Sequence, residues 1–205
     1  EDSLRKSFRM IETQLEIIKN RRAVYIDFAF QYVELLNRIK DKDQLRLYFP
    51  AMRNISKSAI AIAKELENHE LHYQLLTNLA HGYYSLDLHE ELQYDIMKEA
   101  DSLKIRYDLE PITRLNWIFK KLLSDRGDWE KIGEVCKENI QYYILNEQYE
   151  DIYNEIKDYH AYVYQKTGED SHGIVLLDMI KQLEQKPIDD ELDLEIKLFK
   201  NTVRA

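Results

Sequence analysis

The sequence predicts an all-α fold: about four helical pairs stacked into one array, with a flanking helix at each end. Three observations carry this. Apolar residues recur three and four apart along nearly the whole chain, which is the spacing of one helix face. Five Gly and three Pro in 205 residues are few, and β-rich or loop-rich folds use more. Two turn glycines, Gly127 and Gly168, lie 41 residues apart. A period near 40 with two helices per unit is the mark of a helical solenoid. The whole chain, 1–205, reads as one domain. It divides into a lead-in helix (1–21), the helical pairs (22–187) and a C-terminal helix (188–205).

In chain order, Leu4, Phe8, Ile11, Leu15 and Ile18 give the first amphipathic helix. Residues 22–40 give the second, with Val24, Phe28, Tyr32, Leu35, Leu36 and Ile39 as its apolar set. The turn 40–43 (KDKD) leads into a long segment, 44–68. Pro50 is placed near its start, where a proline is tolerated. Asn54 or Ser56 is the alternative start of a fresh helix. Residues 71–106 form a pair that turns at Ser85-Leu86-Asp87-Leu88, with Leu75, Leu76, Leu79, Ala80 and Tyr83 before the turn and Leu92, Ile96, Ala100 and Leu103 after it. Pro111 opens helix 112–124, and Gly127 closes it as a left-handed cap. Helices 129–145 and 148–166 follow, then Gly168, then a helix that runs to Pro187. The last helix, 189–204, begins with acids that suit its N-terminal dipole.

Composition narrows the function. The chain carries 29 Lys and Arg against 38 Asp and Glu, a formal charge of −9. An extended nucleic-acid surface is therefore not expected, because that binding rests on neutralising phosphates. The pairs Arg21-Arg22 and Lys120-Lys121 read as solvated helix surface. No run of about 18 apolar residues exists to span a membrane, and no signal peptide is visible. The chain begins at Glu1 without Met and reads as cut from a longer protein. The single cysteine, Cys136, sits in an apolar rhythm with Ile132, Val135 and Ile140 and reads as a buried structural thiol. One cysteine fits the cytoplasm, with a periplasmic location left open.

No catalytic or cofactor pattern emerges. The glycines are too dispersed for a phosphate loop. His69 and His72 with Glu65 or Glu70 make a weak metal set, since metal sites need several converging ligands. A surface histidine pair is the preferred reading. Paired acids such as Glu90-Glu91 and Asp189-Asp190 fall at helix starts, where capping and dipole explain them. No enzyme, no cofactor and no metal are expected. Tyrosine is the unusual component, with fifteen residues. Tyrosines pack between helices or line interfaces.

Several of these residues resemble tetratricopeptide repeats. Asn78-Leu79-Ala80 followed by Tyr83 looks like that family's Asn-Leu-Gly/Ala and Tyr positions. Gly127-Asp128-Trp129 looks like its Gly-Asp-Tyr/Trp turn. Ala161, Tyr164, Gly168, Gly173, Leu177 and Pro187 form the fullest match. Lys120 departs from the pattern, standing where a small residue is expected. The resemblance covers roughly 22–187. It implies a right-handed α–α superhelix in which the first helix of each pair lines a concave, peptide-binding face. By position this gives Thr77, Asn78, His81 and Tyr84, then Arg114, Trp117, Ile118 and Lys121, then Asp158, Tyr159, Tyr162 and Gln165. Asn78 matches the family's peptide-backbone-binding asparagine.

The expected function is a non-catalytic scaffold for a protein or peptide partner. It would serve as the sensor or regulatory module of a larger bacterial signalling or transcription-regulating protein. The alternatives are a peptide-pheromone receptor domain and a homodimerisation module acting through the first or last helix.

Overall fold

The computed structural model describes residues 2–204, with side chains over 5–113 and 116–203. All regular structure among the described residues is helical. The elements are α1 (Asp2–Ile18), α2 (Arg22–Leu36), α3 (Lys42–Glu65), α4 (His69–Ser85), α5 (Glu90–Tyr107) and α6 (Thr113–Asp125). Then come α7 (Trp129–Leu145) and α8 (Tyr149–Tyr159). The latter continues through a π-helical turn (His160–Tyr164) and a last α turn (Gln165–Thr167). α9 (Asp170–Glu184) and α10 (Asp190–Arg204) complete the chain. The chain forms two compact units, Glu1–Ile118 and Phe119–Ala205.

One turn recurs. Glu67, Asp87, Asp108, Gly127 and Glu147 each adopt positive φ just after a helix. In every case the next N–H reaches back five residues to a carbonyl of the last turn. The bonds run from Asn68 N to Ala63 O (2.9 Å), Leu88 N to Tyr83 O (3.0 Å), Leu109 N to Lys104 O (3.0 Å), Asp128 N to Leu123 O (3.0 Å) and Gln148 N to Tyr143 O (2.9 Å). This is the Schellman closure, which satisfies carbonyls that a helix end leaves unpaired. At two of these turns the following residue caps the next helix. Asn68 accepts from Leu71 N (3.1 Å) and Asp128 from Lys131 N (3.2 Å). Gly168 takes the same left-handed conformation at the end of the α8 segment.

In the first unit each helix packs on its neighbour in sequence, from α1 on α2 to α4 on α5, and α2 also packs on α4. Contact between first helices of consecutive pairs is how stacked hairpins bury their faces. α4 is the central helix. Its residues from His72 to Tyr83 are buried apart from Gln74 and His81. Aromatics close the layers: Phe8 stands edge-on to Tyr32 at 5.8 Å and Phe49 to Tyr83 at 4.9 Å. The Tyr32 hydroxyl donates to Glu12 Oε1 at 2.6 Å, tying α1 to α2.

In the second unit α7 packs on α8, α8 on α9, and α9 on α10, while the π-helical turn touches both α7 and α9. Ile132, Ile152, Ile156, Val163, Leu176 and Ile180 are fully buried. Each such side chain contributes about 1.5–3 kcal/mol by leaving water.

Pro50 departs from its expected place. Helix α3 starts at Lys42, capped by Asp41, and runs unbroken to Glu65 with Pro50 inside it. No fresh helix starts at Asn54 or Ser56; Ser56 is buried within α3. Pro50 is exposed, so water can replace the hydrogen bond its ring removes.

The left-handed turns differ in cost. A side chain at positive φ costs about 1 kcal/mol or more, and Gly127 avoids this while Glu147 does not. Glu147 is exposed, so Glu147→Gly is expected to stabilise the protein by about 0.5–1 kcal/mol. Gly127→Glu is expected to destabilise it by a similar amount. Thermal midpoints of both variants against wild type measure the effect.

Candidate functional site

In the first unit the end of α2 and the start of α3 meet the last turn of α4. Asn37, Lys40 and Lys42 face His81, Tyr84 and Asp87 across a cleft of about 410 Å³. Asn37 in its lining is held by a polar tie to the core. Asn37 Nδ2 donates to Asn78 O (2.9 Å) and Oδ1 (3.1 Å). Asn78 Nδ2 in turn donates to Gln74 O, 2.9 Å away. Lys42 Nζ pairs with Asp87 at 2.7 Å across the mouth. Tyr84 meets Trp117 edge-on, with centroids 4.8 Å apart. Trp117 is 42% exposed, unusual for so large an apolar ring.

The residues expected on an open groove separate into two groups. His81 and Tyr84 line the cleft, and Trp117 flanks it. Thr77 and Asn78 lie in the core, Asn78 at only 2% exposure, so neither lines an open surface. Thr77 donates to Tyr73 O at 2.8 Å. The reason is the central position of α4: α2, α3 and α5 cover nearly all of its surface. Arg114 lies outside the described side chains. Ile118 is buried in the first unit. In the second unit Lys121 and Gln165 are exposed, and Asp158 and Tyr162 are half-buried. Tyr159 is buried, with its hydroxyl 3.0 Å from His172 Nδ1.

The second unit holds a buried charge cluster that the spacing did not announce. Lys120 on α6, expected with Lys121 on the solvated surface, is instead 1% exposed, because its ammonium meets acids within the core. Its ammonium donates to both Glu155 oxygens at 2.9 Å and to Asp158 Oδ2. Burial alone would push this ammonium toward neutrality, but Cys136, Glu155 and Asp158 beside it together outweigh burial and hold its pKa above the usual lysine range. Burial raises the Glu155 carboxyl against the pull of Lys120 and a hydrogen bond from Asn139. Cys136 lies in the same core, and burial pushes its thiol well up, so it stays neutral and unreactive. The available signal was Lys120 itself, a lysine beside Phe119, Leu122 and Leu123 on a core face, which requires an acid opposite.

The two histidines read as a surface pair are separated in role. His69 stacks on Tyr107 with centroids 3.5 Å apart, while His72 is buried. Among the described residues no three His, Cys, Asp or Glu side chains converge to hold a metal ion. No helix among them is long and apolar enough to cross a membrane. Compared with known proteins, the chain matches no family model, no curated protein and no solved structure.

Breaking the buried pair tests its cost. Lys120→Met leaves Glu155 without its counter-ion and is expected to destabilise the protein by about 3 kcal/mol. Lys120→Met/Glu155→Met is expected to recover most of that loss. In the single variant Glu155 takes up a proton on folding, so the penalty shrinks as pH falls. Urea unfolding of the two variants across pH measures each effect.

Proposed function

We propose that the chain is a non-catalytic interaction module that binds a peptide or protein segment in the first unit, at the cleft beside Trp117. The observation that carries this reading is the pairing of a part-exposed Trp117 with Tyr84 at the rim of a polar cleft. Trp and Tyr dominate binding energy at interfaces because they bury much area at little entropic cost. Asn37 in the cleft lining is preorganised, since its tie to buried Asn78 fixes it before any partner arrives.

The finer fold reading is that the helical pairs are of tetratricopeptide type. Its support is local. Gly127 and Gly168 are left-handed where the resemblance places turn glycines. Gly173 faces Tyr164 so closely that a Cβ there would sit 3.0 Å from the ring. Such a module fits a regulatory or sensor segment within a larger signalling protein, and a peptide-receptor role uses the same cleft.

Self-association is the second reading. Val24, Phe28 and Leu35, at 41%, 56% and 44% exposure, lie on one face of α2. If that face joins two copies, Phe28→Glu converts a dimer into a monomer in sedimentation equilibrium.

The test of the cleft is selection from a random displayed-peptide library, followed by titration calorimetry with the enriched peptides. Tyr84→Ala and Trp117→Ala are each expected to weaken binding about tenfold or more, about 1.4 kcal/mol. Leu145→Ala, in the second unit, leaves it unchanged. Peptides that bind both cleft variants as tightly as wild type overturn the assignment, as does a selection that enriches none.

A further inference from the structure

We propose that His72, Glu99 and Lys64 form a proton-sensitive latch across α3, α4 and α5. With His72 neutral, Glu99 serves Lys64. Once His72 takes a proton, the two cations compete for the same carboxylate and the hold of α3 on α5 loosens.

The geometry carries this. Glu99 Oε1 on α5 lies 2.8 Å from Lys64 Nζ on α3 and 3.4 Å from His72 Nε2 on α4. One oxygen therefore faces two groups, only one of which is always charged. His72 is 4% exposed, while Lys64 and Glu99 reach solvent. A proton on His72 thus places a charge in the core with a single acid within reach. Lys64, Glu99 and His69 are the charged or titratable groups acting on it. Arg22 of α2 pairs with Glu65, the residue after Lys64. His69 is stacked on Tyr107.

The sign follows. Burial, then the Lys64 charge, lowers the His72 pKa, and Glu99 opposes them without reversing the shift. The unfolded chain then holds this proton more tightly than the folded one. Folding stability is full above the ordinary histidine value of 6.5 and falls as pH drops through it. The loss continues until the lower folded value is passed. α4 carries the latch near its first turn and the cleft residues His81 and Tyr84 near its last, so acid acts on the helix that frames the cleft.

The experiment titrates the His72 imidazole by NMR in the full chain, in wild type and in two variants. Glu99→Gln is expected to move its midpoint down and Lys64→Met to move it up. A double-mutant cycle on Lys64 and Glu99 is then measured at about pH 7.5 and at a pH about one unit below the His72 midpoint found by NMR. The coupling is expected to fall by at least half at the lower pH, and to stay constant with pH in a His72→Gln background. A His72 midpoint that neither variant moves, or a coupling that does not change with pH, overturns the latch. If His72→Gln does not fold, the opposite movements of the midpoint in the other two variants still decide.

Discussion

The recurring left-handed turn is the constraint on which the rest of this structure depends. An amphipathic helix cannot bury its stripe alone, so each must be reversed onto a neighbour within a few residues. The turn does this while pairing the carbonyls it leaves behind. It recurs about every twenty residues, from Glu67 to Gly168. That spacing sets helix length, and helix length sets which side chains meet across a pair. The one segment stretched by a π-helical turn, at His160–Tyr164, still ends on a left-handed glycine.

Packing of apolar stripes tolerates sliding, since Leu, Ile and Val differ little in what they ask of a neighbour. Buried polar groups do not. Asn37 must meet Asn78, Lys120 must meet Glu155, and the Tyr159 hydroxyl must meet His172. Each bond joins two helices, and each would leave a buried polar group unsatisfied if the helices slid by a turn. The cost of such an orphan, about 1–3 kcal/mol and more for a charge, penalises the wrong register more than the bond rewards the right one. The ties therefore specify alignment more than they add stability.

This explains what could be read from the residues and what could not. The helices were legible because their three-and-four spacing is a property of each segment by itself. The turns at Gly127 and Gly168 were legible because glycine marks positive φ. The left-handed conformation at Glu67, Asp87, Asp108 and Glu147 was not, even where a turn was expected at 85–88, because carboxylate side chains give no such mark. Pro50 was placed in a first turn that lies further back, since Asp41 rather than Pro50 starts α3. Among the candidate binding positions, His81 and Tyr84 line the cleft and Trp117 flanks it, whereas Thr77, Asn78 and Tyr159 turn inward. Positions carried over from a repeat pattern say which side of a helix a residue occupies. They do not say whether another helix already covers that side.

That distinction bears on where a site can exist in such a chain. The central helix α4 is packed on nearly every side, so its faces are spent on folding. Only its ends remain, where a neighbouring turn leaves room. The cleft forms at one end because α2 stops at Leu36 and the chain must cross to Lys42 over the last turn of α4. The crossing brings Asn37, Lys40 and Lys42 beside His81 and Tyr84, residues distant in sequence and different in chemistry. The opposite end holds His72 and its shared acid. Room for polar chemistry in this unit is therefore left at the ends of α4, with the cleft at one and His72 beside Glu99 at the other.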